Sequence, residues 1–232
     1  MPMLRTRALI QLGAVVALAA AVVVVAILLS RGGDHAAAPP RAAKGAADPY
    51  AGIPQHGIRL GRPDAPATLV EIADLQCPFC AAYSRDALPS VVRDYVRTGR
   101  VRYELHFRSF LGRDSVRAAG AAAYAARENR MYEFADAFYR HQGVEESGYA
   151  DRAFIESIAR LAGLDPKKTA AAADDPLSFP AVEGGEMFAR RLGSTGTPDF
   201  YVRKGGRLAP LNVHGTTPAD YARALDAALA GT

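Results

Sequence analysis

The sequence predicts an α/β domain with an inserted helical block, preceded by one N-terminal transmembrane helix. Three observations predict it. From about Gly61, apolar segments run in the order strand, helix, strand, helical block, hairpin, helix. A cysteine pair, Cys77 and Cys80, stands where the first strand meets the first helix. Ala8 to Leu29 is an almost unbroken apolar run in which Gln11 is the one strongly polar residue.

That run would span about 33 Å as a helix, enough for a hydrocarbon core of about 30 Å. Arg5 and Arg7 precede it closely. The positive-inside rule then puts residues 1–7 in the cytoplasm and everything after Ser30 outside. A cleaved signal peptide is the competing reading, since Ala36-Ala37-Ala38 offers a small-residue site. The run exceeds the usual signal core of about 7–15 residues, which favours an uncleaved anchor over 8–29. Both readings export the rest of the chain. Residues 30–57, rich in Ala, Pro and Gly without periodicity, read as a flexible linker. The folded domain is expected over 58–232.

Charge divides along the same line. The 232 residues carry a net charge of +4, and residues 1–60 account for all of it with six basic and two acidic side chains. The remainder is neutral, which gives no basis for a nucleic-acid partner. Half the chain is hydrophobic and 22% is charged, a composition that excludes intrinsic disorder. Only four of the 28 basic residues are Lys, and Ala is abundant. That bias points to a GC-rich, bacterial genome.

Within the domain, Ala67–Ala73 reads as a buried strand. A helix from Pro78 into the mid-90s contains Pro89, which should kink it. Val101, Tyr103, Leu105 and Phe107 alternate with Arg102, Glu104 and His106, the pattern of a two-faced strand. Residues 114–192 read as helical throughout, with apolar stripes at Met131, Phe134, Ala135, Phe138, Tyr139 and at Phe154, Ile155, Ile158, Leu161. Asp165-Pro166 is a helix start. Phe200–Arg203 and Arg207–Val213 flank Lys204-Gly205-Gly206 as a hairpin. Thr217-Pro218 opens a last helix.

Two cysteines three apart at a strand–helix junction form the sharpest chemical signal. The first would face the helix N-terminus, where free N–H groups and the helix dipole stabilise a thiolate. Cys80, one turn on, can close the ring or resolve a mixed disulfide. Pro78 suits the first helical position. A structural disulfide closing so small a loop would stabilise little. A zinc site needs about four ligands, and His35, His56, His106, His141 and His214 have no ligand-like spacing, so no metal is expected. Glu71 lies six residues before Cys77 between Val70 and Ile72. Facing the surface it would be an ordinary strand acid. Buried, it would have a raised pKa and could exchange protons with Cys80. Asp74 reads as a cap of the turn. Thr197-Pro198 precedes the hairpin, and its spacing leaves trans and cis open.

Cys-Pro-Phe-Cys after a strand, an acid six residues upstream, a helical insert and Gly-Thr-Pro before a hairpin resemble the DsbA-like thiol:disulfide oxidoreductases of the thioredoxin superfamily. The resemblance covers about Ile58 to Leu229. It implies a thioredoxin fold with an inserted helical domain. It implies catalytic roles for Cys77 as attacking cysteine, Cys80 as buried partner, Glu71 as buried acid and Pro198 as cis-proline. Thr197 would offer its backbone to an extended substrate, with Pro78 and Phe79 on the substrate-facing surface. Phe79 replaces the His of the family's best-known oxidant, which implies a weaker oxidant than that enzyme.

The implied function is disulfide donation to exported proteins with free thiols, on the extracytoplasmic side of a bacterial membrane. The redox-active disulfide itself would serve in place of a cofactor, and a membrane oxidase would renew it. Two alternatives stand beside it. One is a reductase or isomerase fed by a membrane electron donor. The other is a tethered binding or chaperone module whose disulfide is structural.

Overall fold

The structure, a computed structural model, describes residues 48–231. The expected cytoplasmic end 1–7, the anchor 8–29 and most of the linker lie outside the described residues. No helix among the described residues is long and apolar enough to cross a membrane.

The folded part begins earlier than Ile58. Tyr50 and Ile53 are buried, with the Tyr50 ring 5.8 Å from that of Tyr132. Arg97 binds the carbonyls of Pro49 and Ala51. Two isolated apolar residues in Pro- and Gly-rich surroundings show no periodicity, so composition alone reads them as linker.

Six strands form one sheet: β1 (Gln55–His56), β2 (Arg59–Leu60), β3 (Ala67–Ala73), β4 (Arg102–Phe107), β5 (Asp199–Lys204) and β6 (Arg207–Pro210). Their order is β1-β2-β4-β3-β5-β6. β3 and β4 are parallel; every other pairing is antiparallel. β3 therefore lies inside the sheet, and its apolar sequence is buried along nearly its whole length. Gly205 and Gly206, both at positive φ, make the β5–β6 turn, a conformation that glycine adopts without strain. β6 ends at Pro210, short of the expected Val213; the Leu211 N–H still donates to the Phe200 carbonyl at 2.8 Å, but the Phe200 N–H turns to Asp199 Oδ1 and the ladder stops.

The crossover from β3 to β4 contains α1 (Pro78–Asp86), α2 (Leu88–Val91) and a π-helical turn at Val92–Val96. The helix breaks at Ala87, which puts Pro89 in the first turn of α2, where its missing N–H is harmless. Between β4 and β5 come α3 (Gly112–Arg127), α4 (Met131–Arg140), α5 (Arg152–Leu161), α6 (Pro166–Ala172), a 3-10 turn at Pro176–Ser178 and α7 (Phe179–Arg191). Non-helical segments interrupt what the sequence reads as one helical stretch, notably 141–151. Asp165 caps α6 by accepting from the N–H groups of Lys167 and Lys168. α8 (Pro218–Ala230) opens with a reciprocal capping box between Thr217 and Asp220.

Register decides which side chains share a face. Glu71 pairs with Leu105 and Phe200, so Leu69, Glu71 and Ala73 face the same side as Tyr103, Leu105 and Phe107. That side holds the main core, including Cys80, Tyr83, Phe134 and Phe138. The other face presents Val70, Ile72 and Tyr201 to Ala189 and Phe188 of α7. A Cβ at Gly185 of α7 would collide with the carbonyl oxygen of Phe107, so this helix packs on β4 only because the residue is glycine. On the same face Glu104 is buried. Burial opposes its charge, but hydrogen bonds from His106, Arg203 and Arg59 outweigh that and hold its carboxyl well below the usual range.

Candidate active site

The end of β3 leads into the cysteine turn. Cys77 is the N-cap of α1 with extended backbone, Pro78 occupies the first turn and Cys80 lies one turn in. Both cysteines are unbridged. Pro78 and Phe79 project outward, Phe79 with 71% of its surface exposed, while Cys80 is fully buried.

Electrostatics separate the two thiols. The Cys77 thiol is lowered to about 6, chiefly by a hydrogen bond from Cys80. Partial burial works against this; Thr197 and the backbone N–H groups of Cys80 and Phe79 add to it. Burial drives the Cys80 thiol well above its ordinary value, reinforced by its bond to Cys77 and by the charge of Glu71. One sulfur is thus ready to be a thiolate near neutral pH, while its neighbour keeps its proton.

Across from the cysteines lies the loop before β5. The Thr197–Pro198 peptide is cis, which resolves the alternative that spacing left open. The Cys77 thiol donates to the Thr197 carbonyl at 3.3 Å. The Thr197 hydroxyl is buried without a partner of its own and is available to a thiolate. This loop is held from β4's end, where Arg108 binds the Ser194 carbonyl at 3.0 Å.

Glu71 is only 3% exposed and lies on the sheet face that carries the cysteine turn. Burial raises its carboxyl to about 8, against a lowering hydrogen bond from Tyr103. The surface-facing reading of Glu71 is therefore excluded. The Tyr103 hydroxyl contacts Glu71 Oε2 directly, and the Tyr83 hydroxyl lies 3.5 Å beyond it.

Sequence reasoning missed the bonds that tie the turn to the helical insert. Asp74 does serve the turn, accepting from the Gln76 N–H at 2.8 Å, but it reaches further. It also accepts from the Ser115 hydroxyl at 2.6 Å and from the N–H groups of Phe110 and Leu111. Gln76, fully buried, donates to Ser115 and Leu111 and accepts from Glu146. Gln142, just past α4, donates to the carbonyls of Leu75 and Cys77 at 2.8 and 3.2 Å. The one available signal was the pair of polar residues Asp74 and Gln76 between apolar segments.

A family model described as Thioredoxin matches residues 54–224. A "Probable disulfide bond formation protein D" of Bacillus cereus is 32% identical over 104 residues, covering 44% of this chain. The matched segment spans 48% of that relative's length. The crystal structure of oxidised BdbD from Bacillus subtilis superposes with a TM-score of 0.67 at 21% identity, over 75% of this chain and 94% of that one. Wolbachia pipientis alpha-DsbA1 gives a TM-score of 0.61 at 20% identity, over 74% and 90%. With the family match over most of the described residues, the chain belongs to the thioredoxin family, and its fold is similar to that of the DsbA structures.

Proposed function

We propose that the protein is an extracytoplasmic thiol:disulfide oxidoreductase that introduces disulfides into exported proteins through Cys77 and Cys80. The observation that carries this is the asymmetry of the pair: a Cys77 thiol lowered to about 6 beside a buried Cys80 that holds its proton. A thiolate that stable is a good leaving group, which favours release of the oxidised product. The lowering has the direction expected of an attacking cysteine in a Cys-X-X-Cys turn at a helix N-terminus.

The reaction starts from the Cys77–Cys80 disulfide. A substrate thiolate attacks Cys77; the Cys77–Cys80 bond breaks and Cys80 leaves with the electron pair, then takes a proton. A second substrate thiolate attacks the substrate sulfur of the mixed disulfide. A substrate disulfide forms, Cys77 leaves as thiolate, and the substrate has lost two electrons to the pair. An extended substrate would bind by main-chain hydrogen bonds at the Thr197 carbonyl, which the Cys77 thiol occupies only in the reduced pair and which is free once Cys77 is in the disulfide. Exposed Phe79, together with Phe110 and Val144 on the segments bonded to the turn, offers apolar contact to an unfolded chain.

In this reading residues 8–29 anchor the chain by one pass, and a membrane oxidase renews the disulfide. Tethering raises the local concentration of that partner. The test is alkylation trapping of Cys77–Cys80 in intact cells, paired with oxidative refolding of a reduced substrate. A mostly oxidised pair and catalysed refolding are expected. A mostly reduced pair with insulin reduction would replace this reading with a reductase or isomerase, and full activity of Cys77→Ser would replace it with a binding module.

A further inference from the structure

Glu71 is a carboxyl in a wall of phenols. Among the described residues no Lys, Arg or His contributes to its titration. β4 supplies Tyr103 and α1 supplies Tyr83 and Cys80, with Cys77 at the turn. Tyr132 and Tyr139 of α4, Tyr221 of α8 and Tyr50 of the N-terminal segment complete the titratable groups that feel its charge. Of these, Tyr103 alone donates a hydrogen bond to it.

A phenol differs from a cation here in one respect. An ammonium partner has no lone pair and can serve only the carboxylate. The Tyr103 hydroxyl can donate to the carboxylate and accept from the Tyr83 hydroxyl behind it. When Glu71 is protonated the same oxygen can accept from the acid and turn its own hydrogen to Tyr83. In both states the Tyr103 oxygen and Glu71 Oε2 keep each other as hydrogen-bond partners.

We propose that Tyr103 is a positioning residue for Glu71: its hydroxyl, backed by Tyr83, fixes the buried carboxyl and serves it in both protonation states, so that Glu71 gives a proton to Cys80 and takes it back. This rests on Cys77–Cys80 being the redox pair. When substrate breaks the disulfide, the Cys80 thiolate takes the proton of the Glu71 acid, leaving thiol and carboxylate. When the pair is renewed, a mixed disulfide forms between Cys77 and the oxidising partner. The Glu71 carboxylate then removes the Cys80 proton, Cys80 attacks Cys77, and the partner's thiolate departs.

The experiment uses the protein with Cys77 joined to glutathione and follows glutathione release, as Cys80 closes the ring, across pH. In wild type the rate should show an inflection that Glu71→Gln removes. Tyr103→Phe keeps the ring and removes the hydroxyl. It should move that inflection upward by about one pH unit, since a donor to the charged form is lost. It should also slow release near pH 7 by roughly threefold or more. Tyr83→Phe should shift the inflection the same way by less. In the Glu71→Gln background neither change should matter. An inflection that Tyr103→Phe leaves in place, or equal slowing in the Glu71→Gln background, overturns the proposal while leaving the redox reading intact. A wild-type protein that releases no glutathione at any pH overturns the redox reading and this inference with it.

Discussion

Removing the Cys80 thiol isolates the interaction that contributes most to the Cys77 thiolate. In the structure the hydrogen bond from Cys80 is the largest cause holding Cys77 at about 6. A hydrogen bond to a charged group contributes about 1.5–3 kcal/mol, and one pH unit corresponds to about 1.4 kcal/mol. Cys80→Ala should therefore raise the Cys77 pKa by roughly one to two pH units, to about 7–8. It should stop short of an unperturbed thiol because Thr197 and two backbone N–H groups remain. Cys80→Ser keeps a donor and should move it less. The assay is the ultraviolet absorbance of the thiolate against pH, checked by alkylation rate; with one cysteine left, the reading is unambiguous. The consequence reaches the redox couple. At pH 7 a pKa near 6 rather than near 9 favours the reduced pair by about 1.4 kcal/mol, or about 30 mV for two electrons. If Cys80→Ala leaves the Cys77 pKa at or below its wild-type value, the helix N-terminus and Thr197 set the thiolate and the reasoning fails.

The remaining predictions concern stability and tuning. Glu71 titrates at about 8 in the fold against 4.5 ordinarily, so its contribution is complete below the lower value and is lost as pH rises through the upper one. In the oxidised protein, where Cys77 does not titrate, urea unfolding should lose about 1.4 kcal/mol per pH unit across that window, and Glu71→Gln should flatten the slope. Phe79→His should lower the Cys77 pKa further by about one pH unit, since a protonated imidazole can lie beside the thiolate; a rise would refute the electrostatic account of this position. Gly185→Ala should destabilise by about 1–3 kcal/mol in denaturant titration, because the added methyl meets the Phe107 carbonyl, and a neutral result would show that α7 can shift off β4.

Legibility followed interaction range. The four longer strands, the hairpin turn and the caps at Asp165 and Thr217 were readable because each depends on residues a few positions apart, whereas the two-residue strands β1 and β2 were not. The cysteine pair was readable for the same reason. Glu71 was legible as a candidate, but its burial depended on which strand face carries the cysteine turn, and pairing with Leu105 and Phe200 settles that only in three dimensions. Tyr103 was placed on one face of β4 with Val101, Leu105 and Phe107, yet its hydroxyl's partner lies 32 residues away, where periodicity carries no information. Tyr50 and Ile53 were lost in a linker-like composition for the same reason: what buries them comes from α4 and beyond.

The helical insert is as much a part of the cysteine turn as the sheet is. Asp74 sits at the end of β3, yet two of the elements it binds, Ser115 and the Phe110–Leu111 backbone, belong to the entry of the insert. Gln142 grips the Cys77 carbonyl from the loop just past the insert's second helix, and the Tyr139 hydroxyl of that helix holds the Asp74 carbonyl at 3.3 Å. A turn held only by its own helix would be free to move when Cys77 changes from thiol to thiolate to disulfide. Bonded on three sides to α3, α4 and the loop after α4, it holds the Phe79 and Cys80 N–H groups toward the Cys77 sulfur. Those N–H groups help only while they point at the charge, so rigidity of the turn is a condition for the low Cys77 pKa. Breaking the tie at its centre with Ser115→Ala should therefore do two things at once. It should cost about 1–3 kcal/mol of stability, since Asp74 is buried and loses a donor. It should also raise the Cys77 pKa, although Ser115 touches neither cysteine. Loss of stability with an unchanged thiolate titration would show that the sheet and α1 alone hold the turn.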